Sequence, residues 1–181
     1  MPFLMILGTL GFMFGTGGSA LVSKTMGEGE HEKANQLFSM IVYISIACGI
    51  VLSVFGILFI RPIASLLGAK GELLENCVLY GRIILIALTA FMLQMEFQSF
   101  FVAAEKPGLG LIATIASGVT NMVLDALFIA VFKWGLVGAA AATGLSQVVG
   151  GAIPLIYFFR PNSSLLRLGK MKFDGKALFK T

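Results

Sequence analysis

The sequence predicts an all-α integral membrane protein, built as a polytopic bundle of about five transmembrane helices. Two observations predict this class. Hydrophobic residues make up 57% of the chain and charged residues only 12%, whereas soluble domains have about a quarter charged residues. The apolar residues also fall into blocks of about 20, the length that crosses a bilayer as a helix. A soluble helical core would need a polar face on most helices, and these blocks lack one.

Five segments have this length and composition. In chain order they are residues 2–22, 37–60, 78–104, 109–132 and 136–159. The first has no positively charged leader and is therefore not a signal peptide. It opens within an apolar stretch and continues into FGTGGSALVS. From this we expect a helix entered partway along a longer protein, so that the chain is a fragment or an early-truncated reading frame.

The basic residues predict the orientation of the bundle. The connections after the first and third segments, with the tail from Arg160, contain nine Lys and Arg residues, and the opposite side contains four. The richer side should be cytoplasmic. Residues 160–181 mix Leu and Phe with basic residues and are predicted to form a cytoplasmic amphipathic segment. The net charge of +4 needs no nucleic-acid partner, and we expect a multi-pass protein of the inner or plasma membrane.

The most informative polar residues are Asn121 and Asp125, inside the fourth segment. A carboxylate within a spanning helix is costly and usually binds an ion, a proton or a polar substrate. Thr114, Gly118, Asn121 and Asp125 recur at spacings that place them along one stripe of a helix. Their role in a bundle is either to bind a ligand or to join helices by hydrogen bonds.

A second stripe in the fifth segment contains Thr143, Gln147, Gly150 and Pro154. The turn Lys133-Trp134-Gly135 makes the two segments antiparallel neighbours. At about 1.5 Å per residue, Asp125 and Thr143 both lie roughly 12 Å below that turn, and Asn121 lies one turn deeper. A carboxylate, an amide carbonyl and a hydroxyl suit a small hard cation such as Na⁺. The carboxylate alone suits a proton, since burial favours its neutral form.

The third segment contains a further polar cluster in FMLQMEFQSFF. Gln94 and Gln98 share one face of the predicted helix, and Glu96 points to another. We predict that Glu96, with Gln94, Gln98, Gln147 and Thr114, belongs to a substrate or proton pathway. The alternative for Glu96 is a carboxylate near the inner interface.

Small residues in the first segment form a GxxxG pattern at Gly11 and Gly15. Such patterns allow helices to approach closely. Tight packing is the favoured interpretation, with a thin wall beside a cavity as the alternative.

Other chemistry is not supported. His31 has no second His or Cys nearby, so apart from a Na⁺ site at Asp125, Asn121 and Thr143 we expect no metal. No Walker loop, nucleophile elbow or paired-His motif occurs. The sequence therefore predicts a protein that is not an enzyme and has no cofactor beyond a coupling ion, Na⁺ or H⁺.

Three motifs together resemble multidrug and toxic compound extrusion (MATE) transporters. They are FGTGGSALVSKTMGEGEHEKA at the first loop, NMVLDALFI around Asn121 and Asp125, and GLVGAAAATGLSQ around Thr143. The resemblance implies a secondary antiporter that exports drug-like or cationic compounds in exchange for Na⁺ or H⁺. It implies that Asp125 is the coupling carboxylate, with Asn121 and Thr143 as its neutral partners.

The resemblance also implies what is missing. Residues 1–159 resemble helices two to six of a six-helix amino-terminal lobe, and residues 160–181 resemble the start of the inter-lobe connection. The first helix, its acidic residue and the second lobe would come from a parent protein. Because alternating access needs two lobes, we expect this chain to be inactive alone. Two alternatives remain: a lipid-linked sugar flippase of the same superfamily, and a membrane scaffold that transports nothing.

Overall fold

The described part of the protein is helical throughout. The computed structural model describes residues 2–161 and 166–168. In chain order its helices are α1 (Pro2–Gly27), α2 (His31–Leu66), α3 (Glu72–Ile86), α4 (Leu88–Ala103), α5 (Pro107–Asp125), a π-helix (Ala126–Val131) and α6 (Gly135–Phe159). No strand occurs in these residues. The predicted all-α class is confirmed.

Several of these helices are long and apolar enough to cross a membrane. Within the described residues three satisfy this condition: α2, α5 with its π-helix, and α6. The bent pair α3 and α4 forms a fourth candidate span, and α1 occupies the first predicted segment with 26 residues. The helices therefore fall at the five predicted places, although α2, with 36 residues, extends beyond both ends of the predicted 37–60.

The third predicted segment is not one helix. The structure breaks it at Ala87 and bends α4 by 49° relative to α3, so a single helix over 78–104 is wrong. The physical cause lies on α2, where the buried Ser53 hydroxyl donates a 2.7 Å hydrogen bond to the Leu85 carbonyl. In an unbroken helix that carbonyl would accept from the amide four residues later. A side chain that enters the ladder in this way is a known cause of kinks.

This hydrogen bond gives the first testable prediction. We expect Ser53→Ala to destabilise the bundle by about 0.5–2 kcal/mol, because the kinked Leu85 carbonyl would lose its donor in a buried place. Unfolding in mixed detergent micelles measures the loss. Ser19→Ala is the matched control, since the Ser19 hydroxyl is exposed and bonds only within its own helix, to Thr16. Equal stabilities of the two variants would contradict this account of the kink.

The turn between the last two spans is as tight as predicted. Lys133 and Gly135 both have positive φ, of 54° and 56°, which glycine tolerates without strain. The Trp134 amide donates to the Phe128 carbonyl at 2.9 Å, and its indole stacks on Phe128 and Phe132 with ring centroids 5.2 and 5.4 Å away. The turn therefore holds α5 and α6 as antiparallel neighbours, and these helices pack directly on each other.

Helix α1 packs mainly on α4, through the predicted small residues. A Cβ on Gly11 would lie 2.8 Å from the Met92 backbone, and a Cβ on Gly15 would lie 2.9 Å from the Cα of Glu96. The tight-packing interpretation of the GxxxG pattern is confirmed. An aromatic core adjoins this contact, in which Phe38, Phe97 and Phe158 make edge and stacked ring contacts.

Part of the tail folds back on the bundle. Leu166 is fully buried in the aromatic core, the Arg167 amide donates to Asn35 Oδ1 at 2.8 Å, and the Leu168 amide donates to the Phe158 carbonyl at 3.0 Å. These contacts dock residues 166–168 on the ends of α2 and α6. Most of the predicted amphipathic segment, residues 160–181, lies outside the described residues.

Candidate functional site

Asp125 lies where α5 changes into a π-helix. It is the last residue of α5, and the π-helix begins at Ala126. Its side chain is half-buried. A π-turn is rare and often marks a functional place, because it widens the helix and changes the direction of neighbouring side chains. The predicted coupling carboxylate therefore lies at a local irregularity of the backbone.

Contacts between α5 and α6 fix the level of each polar residue. The buried Ser117 hydroxyl donates to the Ser146 carbonyl at 2.7 Å. Nearer to the turn, a Cβ on Gly138 would lie 3.0 Å from the Phe128 Cβ. Counting four residues from each serine toward the turn gives Asn121 on α5 and Ala142 on α6, which are therefore at the same level. Thr143 is thus level with Asn121, and Asp125 lies up to one turn nearer to the turn.

This register corrects the predicted depths, which placed Asp125 and Thr143 at the same level. The difference arises because the π-helix adds residues to α5 without adding the usual rise. The directions of the two side chains reduce this difference in level between Asp125 and Thr143. In both helices the Cα–Cβ bonds tilt toward the helix N-terminus, so Asp125 and Thr143, on antiparallel helices, tilt toward each other.

The hydroxyl of Thr143 is already oriented. It donates to the Ala139 carbonyl in its own helix at 2.9 Å. Its proton is therefore engaged, and its lone pairs remain available as acceptors or cation ligands. This orientation fits the role of a neutral oxygen ligand better than that of a donor to a carboxylate.

A small cavity lies beside Thr143. It has a volume of about 150 Å³ and is lined by Tyr80, Thr143 and Gln147 among apolar side chains that include Phe91. The Gln147 carbonyl oxygen is buried and has no hydrogen-bond partner.

Tyr80 was not found by sequence reasoning. It lies on α3, 45 positions before Asp125 in the chain, and no spacing rule connects them. The only available signal was a tyrosine within an apolar segment, which is more often placed at a membrane interface. The kink at Ala87, which sets the direction of α3, could not be predicted either, because it depends on a contact between residues far apart in the chain.

Two of the predicted pathway residues make helix contacts. The Gln98 amide donates to Thr114 Oγ1 at 3.1 Å, which joins α4 to α5. The Gln94 amide lies flat against Gly150 of α6, where a Cβ would come within 2.6 Å of the amide carbon. Their predicted place in a pathway stays a prediction, and their contacts are those of helix packing.

Glu96 points to another side of α4, as predicted. It is fully buried against α1, and neither carboxyl oxygen has a hydrogen-bond partner. With no exposed surface, the side chain does not reach the headgroups in this structure, and the alternative of a carboxylate near the inner interface stays a prediction.

The donor set suits a monovalent cation or a proton. Within the described residues, no three His, Cys, Asp or Glu side chains lie together as a metal site would need. Asp125 is one carboxylate, and the neutral side chains of Asn121 and Thr143 lie up to one turn deeper. A divalent ion usually has more carboxylate ligands than this. Na⁺ or H⁺ fits the charge.

Residues 1–127 match the MatE family model. This chain belongs to the MatE family. Similar curated proteins carry the name multidrug export protein MepA. The one from Staphylococcus haemolyticus (strain JCSC1435) is 30% identical over 165 residues, which cover 91% of this chain and 36% of that protein. The one from Staphylococcus saprophyticus subsp. saprophyticus is 31% identical over 160 residues, 88% of this chain and 36% of that protein.

Solved structures share the fold of this MatE chain. A MATE crystal structure in the bent conformation matches it with a TM-score of 0.92 at 23% identity, over 98% of this chain and 40% of that one. An inward-facing multidrug resistance MATE transporter of the MOP superfamily matches with a TM-score of 0.90 at 22% identity, over 98% and 41%. The chain spans somewhat over a third of the length of the curated relatives it matches.

Proposed function

We propose that this chain is part of a secondary antiporter, which exports drug-like compounds or organic cations in exchange for Na⁺ or H⁺. The observation that carries the proposal is the half-buried carboxylate of Asp125 at the start of the π-helix. On the neighbouring helix α6, Thr143 and Gln147 line a cavity. The name of the MepA relatives, multidrug export protein, supports the substrate class.

The coupling would work through the charge of Asp125. An ionised carboxylate at this depth is unfavourable unless a cation or proton neutralises it. Binding of the coupling ion would therefore favour the conformation in which α5 and α6 close around Asp125. Substrate would favour the opposite conformation, so that each ligand shifts the population away from the other.

The sole tryptophan offers a direct test. Trp134 stacks on Phe128 and Phe132. It lies three residues after the end of the π-helix that follows Asp125. We expect its fluorescence in the purified chain, reconstituted in lipid nanodiscs, to change on titration with Na⁺ or with acid. K⁺ at matched ionic strength serves as the control for screening.

The variant Asp125→Asn should lose that response, and Glu28→Gln, an exposed carboxyl outside the spans, should retain it. A saturable Na⁺ response at constant pH indicates Na⁺ coupling, and a response to acid alone indicates H⁺ coupling. If neither ion changes the fluorescence, or if Asp125→Asn responds as the parent does, Asp125 is a packing residue and the proposal fails.

A further inference from the structure

Glu96 is a buried acid that the proposed coupling site does not use. Its side chain has no exposed surface, and its backbone packs against Gly15 of α1. The Ser45 hydroxyl of α2 interacts with the carboxyl, yet the geometry forms no hydrogen bond, and both groups remain without a partner.

Among the residues that the structure describes, no salt bridge to this carboxyl is formed. Gly15 of α1, which packs on the Glu96 backbone, and Ser45 of α2 do not ionise. On the helices packed against α4, the titratable side chains nearest to these contacts are Lys24 on α1, Tyr43 and Cys48 on α2, Tyr80 and Arg82 on α3, Asp125 on α5, and Tyr157 on α6.

None of these side chains faces Glu96. Lys24 is nine residues from Gly15, or about 13 Å along the helix. Tyr43 is two residues from Ser45 and so lies on the other side of α2. Cys48 packs in the other apolar cluster with Met92, Tyr157 packs on Phe101, and Asp125 is the last residue of α5, at the end next to the Lys133 turn.

An isolated ionised carboxylate in such a place is strongly unfavourable, and the group takes up a proton instead. Arg82 is 14 residues from Glu96, about 21 Å of helix, which is too far for it to replace that proton as a counter-charge. In this conformation Glu96 is therefore a neutral carboxylic acid.

A cavity approaches Glu96 from one side of the membrane. It has a volume of about 510 Å³ and lies at the ends of α1 and α4 that meet the α1–α2 and α4–α5 connections, the side predicted to be cytoplasmic. His31 and Glu105 lie at its mouth, and the hydroxyls of Ser19, Ser23 and Ser99 line it.

The floor of the cavity comes within one helical turn of the acid. Ser99 follows Glu96 by three residues on α4, and Ser19 follows Gly15 by four on α1, so both pairs lie on shared helix faces. One turn is about 5.4 Å. Over this last turn α1 and α4 are in close contact, since a Cβ on Gly15 would lie 2.9 Å from the Glu96 Cα and 3.2 Å from Ser99 Oγ.

We propose that Glu96 is a second proton-binding carboxyl, which exchanges its proton with water in the cavity lined by Ser19, Ser23 and Ser99. The inference rests on the proposed antiport and adds a proton exit on the side opposite to the Lys133 turn. In the exchange, the O–H bond of the Glu96 carboxylic acid breaks, and the proton forms an O–H bond on a cavity water. The carboxylate that remains is hydrated where α1 separates from α4, and reprotonation reverses the step.

Infrared difference spectroscopy of the full 181-residue chain in nanodiscs tests this proposal. Between acidic and alkaline buffer, we expect a carboxylic-acid C=O band that shifts on deuteration and disappears as the acid ionises. Glu96→Gln should lose this band, whereas Glu28→Gln and Asp125→Asn should keep it. Glu96→Asp should restore it at a shifted frequency, which serves as the second variant if the amide perturbs folding.

The role of the cavity has its own variant. Ser99→Ala removes a hydroxyl from the cavity lining without adding bulk, and it should slow deuterium exchange of the Glu96 band without removing the band. Val102→Thr, on the same cavity wall, is the control that should leave the exchange rate unchanged.

Three results would overturn the inference: a band that survives Glu96→Gln, a Glu96 band that never ionises or exchanges, or exchange that Ser99→Ala leaves unchanged. The part of the Trp134 response that Asp125→Asn abolishes reports on Asp125. A normal Trp134 response without a titrating Glu96 band therefore rejects the second proton site and leaves the proposed function standing, and the reverse pattern rejects the antiport assignment.

Discussion

Replacement of Asp125 by Asn should abolish ion-driven efflux from the intact two-lobed transporter that the resemblance implies, while membrane insertion stays normal. The amide has nearly the same shape as the carboxylate but cannot take up a proton or balance a cation. The two conformations would then respond to substrate alone, and an ion gradient would no longer bias them. We expect the loss to be complete, because without differential ion binding there is no coupling.

The measurement is efflux of a fluorescent organic cation from cells, with the amount of protein in the membrane determined in parallel. Thr143→Val is the graded comparison. It removes one neutral oxygen that already donates its proton to Ala139, and it should weaken the dependence on the ion without abolishing export. Undiminished efflux by Asp125→Asn at normal expression would remove Asp125 from the mechanism.

Replacement of Gly11 by Ala should destabilise the bundle through the contact of α1 with α4. The new Cβ would lie 2.8 Å from both the Cα and the carbonyl oxygen of Met92. These are backbone atoms of α4, so no side chain can rotate away and α1 must move. Overpacking of this kind costs about 1–3 kcal/mol.

Gly118→Ala is the matched control on α5. A Cβ there meets nothing within 4 Å, and an alanine in an open helical position stabilises by about 0.5–1 kcal/mol relative to glycine. The same chemical change should therefore have opposite signs at the two positions. Unfolding in mixed micelles gives both values, and a Gly11→Ala variant as stable as the parent would show that α1 does not pack on α4 as described.

Sequence patterns located the helices because the bilayer imposes a length and a composition on each span. They also placed the small residues of α1 correctly, since a GxxxG pattern has few uses other than close packing. Gln94, Glu96 and Gln98 were assigned to the right faces of α4, because helical periodicity alone decides that question.

The same patterns could not place residues that meet across helices. Tyr80 joins Thr143 at one cavity only because α3 packs on α6, and the level of Asp125 relative to Thr143 depends on a π-helix that no residue pattern predicts. The bend at Ala87 arises from the hydrogen bond that Ser53 donates to Leu85, 32 residues later in the chain. The complete burial of Glu96 could not be predicted either, since it depends on which helices cover the side chain.

The sequence by itself determined that this chain is a helical membrane protein of the MatE type, with an expensive carboxylate at Asp125. Composition and periodicity are local properties, and the bilayer converts them directly into spans. Only the tertiary structure decided the register of α5 against α6, the kink between α3 and α4, and the enclosure of Glu96 by Gly15 and Ser45. Those features arise from contacts between segments far apart in the chain, and the free energies of such contacts are not encoded in any one segment.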